Sequence, residues 1–170
     1  MKYNDYYIMT KIQYLLLFIL IFSQITLWGS YYYVLRNKKM NIFWGNIPKS
    51  KWNSFLIYAL VAYILNLLFI LYFVFKNKVE ENYVYYVIYL IIIYYGLQLL
   101  FLPFVELLPK IYTVILLFVC VVPILLMAYL AYLQSNKVDN ILEKTYLLTT
   151  GILPLLHVFF NDAIAYGLYL

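Results

Sequence analysis

The chain has 170 residues, 67% of them hydrophobic and only 11% charged, with a net charge of +5. This composition lies outside the range of soluble globular domains. The positive charge does not mark a nucleic-acid binder, because the basic residues sit in short loops beside apolar runs, where anionic lipid headgroups are the natural counter-charge.

Charge-free runs cover residues 12–35, 52–75, 82–105, 111–136 and 145–161, and the chain stays apolar from Asp162 to Leu170. A bilayer core of about 30 Å takes roughly 20 helical residues to cross. The expected fold is all-α: a polytopic membrane protein whose single domain, 1–170, is a bundle of five transmembrane helices. The expected spans are about 12–35, 52–75, 83–108, 110–134 and 146–168.

The first span follows Lys2 and Lys11, as a signal peptide would. Its apolar run is too long for an ordinary signal-peptide core, and TLWGSYYY makes a poor cleavage site, so it reads as a retained span. It ends in Trp28, Tyr31, Tyr32 and Tyr33, followed by Arg36, Lys38 and Lys39, an interfacial aromatic belt with cations behind it. In the loop RNKKMNIFWGNIPKSKW, Gly45 and Pro48 oppose a continuous helix, and Trp44 and Trp52 are suited to the membrane interface.

The second span carries one polar residue, Asn66. The third holds Gly96, Gln98, Pro103 and Glu106, and LLPK joins it to the fourth as a tight hairpin. Glu106, near Lys110, reads as an interfacial carboxylate. The fourth span contains Cys120 and Pro123, and SNKVDNILEKT leads to the fifth, with Pro154. Each of these three prolines frees a carbonyl that needs another partner, and such kinks often border cavities. The Lys and Arg count is six on each side of the membrane. Their crowding in the first loop favours that loop and the C-terminus as cytoplasmic.

Asp162 is the most informative residue. At 1.5 Å per residue it lies roughly 12 Å from the end of its helix, below the headgroups. A charge at the centre of a transmembrane helix costs roughly 2.5–3.5 kcal/mol on insertion scales, so the carboxyl is expected to face the bundle. On an ideal wheel His157 lies about 140° from Asp162, so the two are not expected to pair locally. Two readings stand: a proton path or ligand cavity using both residues, or packing glue through hydrogen bonds to Asn66, Gln98 or a tyrosine. Gln98 shares a face with Tyr94, Tyr95 and Phe101, which suits a cavity rimmed by aromatics. The candidate ligand-binding residues are therefore Gln98, Asp162, His157, Asn66, Trp44 and Trp52. AIAYG places Ala163 and Gly167 at the spacing of a close helix contact.

The sequence has no phosphate-binding glycine loop, HExxH, CxxC or GxSxG, and no serine–histidine–aspartate set, so no catalytic residue is assigned and the chain is not read as an enzyme. One histidine and one cysteine, far apart, do not make a metal site, and no cofactor is expected. Cys120 reads as a packing residue.

The five-span layout, the aromatic first loop with Trp44, Pro48 and Trp52, and Gln98–Leu99 in YYGLQLLFLPF resemble the translocator protein/tryptophan-rich sensory protein family. The family's Asn and Trp after the Gln-Leu step are absent here, as is its tryptophan in span two. The resemblance implies a pocket among the five helices for a sterol, tetrapyrrole or similar apolar ligand. The leading expectation is an integral membrane protein that binds a small apolar ligand or lipid. The alternatives are an assembly subunit of a homo-oligomer or larger membrane complex, and a proton- or ion-coupled transporter that uses Asp162.

Overall fold

A computed structural model describes residues 9–37, 46–77 and 79–169. Trp44 and the side chain of Glu106 lie outside the described set, and with them the expectations placed there. The helices are α1 (Lys11–Asn37), α2 (Trp52–Phe75), α3 (Glu81–Leu107), α4 (Lys110–Ser135) and α5 (Ile141–Leu156). α5 runs on as a π-helix, His157–Tyr166, and closes with one α-turn, Gly167–Tyr169. A short 3₁₀ turn, Lys49–Lys51, leads into α2. Five helices are long and apolar enough to cross a membrane, by length and composition, and the protein is accordingly all-helical and multi-pass. In hydrocarbon a helix is the form that satisfies each segment's backbone internally, so long apolar runs have little alternative.

Local chemistry sets the boundaries. Thr10 and Gln13 form a capping box at the start of α1: the Thr10 N–H donates to Gln13 Oε1 at 2.9 Å, and the Gln13 N–H donates to Thr10 Oγ1 at 3.4 Å. The Gln13 amide then donates to the carbonyls of Phe73, at 3.1 Å, and Lys76, at 3.0 Å. It thereby satisfies two acceptors at the end of α2 that have no helical partner of their own. Pro109 turns α3 into α4: the residue before a proline resists helical geometry, while proline itself suits a helix start. Asn140 caps α5 through the N–H groups of Leu142 and Glu143, which is why the helix begins at Ile141 and not near 146.

Contacts run round a closed ring, from α1 to α3, α4, α5, α2 and back to α1. At one end of the bundle Lys76 pairs with Glu143 at 2.6 Å, and Lys137 pairs with Glu80 at 2.5 Å. At the other end the N–H of Asn46 donates to the carbonyl of Tyr169 at 3.0 Å, and Lys51 Nζ donates to the Tyr169 hydroxyl at 2.7 Å. The first loop and the end of the last helix thus share one side.

The two halves of the bundle differ. Leu16, Phe69, Phe73, Ile91, Met127 and Leu147 are among its most completely buried side chains. They come from the start of α1, the end of α2, the first half of α3, the end of α4 and the start of α5, all in the half that holds the two ion pairs. Gly151 belongs to the same tight packing, since a Cβ built there would stand 2.3 Å from Ala131 Cβ. Of the two glycines in the last span, Gly151 is the one that makes a close approach. At Gly167 a Cβ would meet Val114 at an ordinary 3.9 Å, although Ala163 of the same motif is buried. The opposite half also buries Thr113, Val158 and Ala163, but its helices part around a hollow.

Candidate ligand cavity

The hollow half encloses a cavity of about 490 Å³ lined by all five membrane helices. α1 supplies Leu27, Trp28 and Tyr31, and α3 supplies Tyr94, Tyr95, Gln98 and Phe101. α2 contributes an apolar wall from Phe55 to Ala62 together with Tyr63 and Asn66, and α4 adds Leu117 and Ile124. The last helix closes it with Pro154, His157, Val158, Asn161, Asp162 and Tyr166. Ligand sites of about 300–1,000 Å³ usually combine such apolar walls with a few convergent polar groups.

The position of the polar groups follows from the backbone. Proline at 154 has no N–H to give to the carbonyl four residues earlier, so the ladder is already broken one turn before the π-helix begins. From His157 onward the i→i+5 pattern sets residues five apart on the same face. His157 Nε2 consequently lies 3.3 Å from Asp162 Oδ1. The expectation that these two side chains do not meet is corrected here: it assumed 100° per residue, and the helix widens over that stretch. The side chain of Asp162 keeps 30% of its surface accessible and that of His157 11%, and both line the cavity. His157 Nδ1 is buried and makes no hydrogen bond among the described residues.

Asn66 is 6% exposed and ties three helices together. Its Nδ2 donates to Met127 Sδ at 3.6 Å, and its Oδ1 accepts from the Tyr95 hydroxyl at 3.4 Å. Gln98 lies across the cavity on α3, with the aromatic neighbours anticipated from its helical face. Four of the expected binding residues, Gln98, Asp162, His157 and Asn66, therefore share one cavity. Trp52 does not line it; its indole N–H donates to the carbonyl of Ile47 at 2.9 Å at the start of α2, so it anchors the loop.

The rim lies on the α1–α2 side. Trp28, Leu56 and Leu60 line the cavity yet are 53%, 51% and 56% exposed, so it opens laterally between these helices. A short chain of polar contacts spans that seam: Trp28 Nε1 donates to the Tyr63 hydroxyl at 3.0 Å, and Tyr63 donates to Gln24 Oε1 at 2.6 Å. The two rings meet edge to face at 5.5 Å. In the sequence Trp28 and Tyr31 carried only an interfacial signal. Their role as cavity wall depends on which helix stands opposite, and a single span does not encode that.

Among the described residues no group of three or more His, Cys, Asp or Glu side chains is placed to hold a metal ion. Compared with models of known families, with curated proteins and with solved structures, the chain matches none.

Proposed function

We propose that the protein binds a small, largely apolar ligand or lipid drawn from the bilayer into the cavity between its five helices. The observation that carries this reading is the cavity in one half of the bundle, lined by all five helices and by Gln98, His157 and Asp162. A bundle selected only for rigidity gains by filling such a space, since an empty cavity costs about 24 cal/mol per Å³. Lateral opening between α1 and α2 suits a ligand dissolved in lipid. The resemblance noted in the sequence makes sterols, tetrapyrroles and lipids the first classes to examine.

The test is native mass spectrometry of the protein gently solubilised from its own membrane. A small molecule bound in stoichiometric amount supports the binding role. Additional polypeptides with an empty cavity support the assembly-subunit role instead. Transport is a second reading, favoured by the His157–Asp162 contact. It requires Asp162→Asn to abolish proton-coupled flux in proteoliposomes while the folded fraction is unchanged.

A further inference from the structure

The chemistry of the cavity wall narrows what the ligand carries. We infer that the cavity selects a cationic amphiphile, an apolar body bearing a protonated amine, with the amine seated against the Asp162 carboxyl. The inference rests on the cavity being a ligand site, as proposed above.

Three observations converge on it. First, Asp162 is the one acidic residue in the lining, and no Lys or Arg lines the cavity among the described residues. Its carboxyl accepts from the Asn161 side chain, and an ionised carboxyl has about four acceptor sites, so it can take a further donor from the cavity it lines. Second, the neighbouring basic group does not meet that need. His157 reaches Asp162 Oδ1 from Nε2 at 3.3 Å, beyond the usual range of a strong charge-assisted bond. Its Nδ1 is buried without a hydrogen-bonding partner, a poor setting for a doubly protonated ring, which needs acceptors at both nitrogens. Third, the walls around Asp162 are aromatic. Tyr31, Tyr94 and Tyr166 line the same space, with Trp28 at the rim. Aromatic faces attract a desolvated cation and also accommodate an apolar body, the combination found in ammonium-binding sites. A purely apolar ligand would leave the carboxyl facing hydrocarbon, whereas an ammonium supplies both charge and donors.

The test uses a matched pair of probes, 2-(2-naphthyl)ethylamine and 2-(2-naphthyl)ethanol, which share an apolar body and differ in the cationic group. Binding is measured by calorimetry to the full chain in zwitterionic nanodiscs, with empty nanodiscs as the reference for partitioning. The wild-type protein is expected to bind the amine at least tenfold more tightly than the alcohol. Asp162→Asn keeps the side-chain size and removes the charge, so it is expected to bring the two affinities within about twofold while alcohol binding persists. Equal affinities in the wild type overturn the proposal without recourse to any variant. A preference unchanged in Asp162→Asn overturns it as well. If the alcohol binds and the amine does not, the cavity is a ligand site of the wrong polarity, and this inference alone fails. If neither probe binds, the cavity reading fails and takes this inference with it.

Discussion

At the scale of single residues, the polar side chains within the bundle divide by what they touch. Asn66 is structural: it accepts from the Tyr95 hydroxyl and donates to Met127, linking α2 to α3 and α4. Asn66→Leu is expected to lower stability by about 1 kcal/mol, since polar contacts between membrane helices average about 0.6 and a stranded hydroxyl adds to the loss. Chemical denaturation in mixed micelles checks this. Gln13 does more, because one amide completes the capping box of α1 and binds two carbonyls at the end of α2. Gln13→Leu should cost about 1–2 kcal/mol, comparable to losing a good helix cap. Hydrogen exchange would locate the damage in the last turn of α2. Asp162 behaves differently. A carboxyl inside the membrane bundle is costly, so Asp162→Asn is expected to leave stability unchanged or slightly raised. The bundle-facing placement of Asp162 was legible in the sequence from the cost of a charge in lipid. Its meeting with His157 was not, because every wheel presumes a regular helix.

At the scale of elements, α5 is where tight packing gives way to open space. Its first turns lie against α4 through Gly151, where any side chain collides with Ala131. Gly151→Val should therefore destabilise the bundle by about 1–3 kcal/mol or more, as overpacking does in a dense interior. Gly167→Ala, with Val114 at an ordinary distance, should be close to neutral. Thermal unfolding of the two variants side by side separates these outcomes. Small residues at helical spacing were visible in AIAYG, but which glycine makes the close approach depends on the ring order of the helices. On the proposed binding role, a ligand enters through the α1–α2 seam. Removing the Trp28 indole takes away the contact with Tyr63 and clears the rim. Trp28→Ala is accordingly expected to speed both association and release of a bound ligand, with little change in their ratio. Stopped-flow binding measures the two rates.

At the scale of the whole molecule, the five spans were legible because a charge-free run of about 20 residues has few other fates. As helices, α2 covers Trp52–Phe75 and α4 covers Lys110–Ser135. The asymmetry of the bundle was not legible in the same way. Every span is apolar over nearly all of its surface, so the apolar pattern does not distinguish side chains facing lipid, a packed core or a cavity. The cavity lies where α5 widens into its π-helix, beyond the tight Gly151 contact, and neither feature shows in the apolar pattern.

The cavity can be filled by one substitution. Ala59 lines the cavity from α2 and lies outside the buried core, so Ala59→Trp fills space without displacing packed side chains. The decisive measurement is native mass spectrometry of wild type and Ala59→Trp, solubilised identically from the same membrane. If the cavity is a ligand site, a stoichiometric small molecule is expected on the wild type and is lost from the variant, with both proteins folded. A ligand retained on Ala59→Trp, or a wild-type protein that carries none, would contradict it.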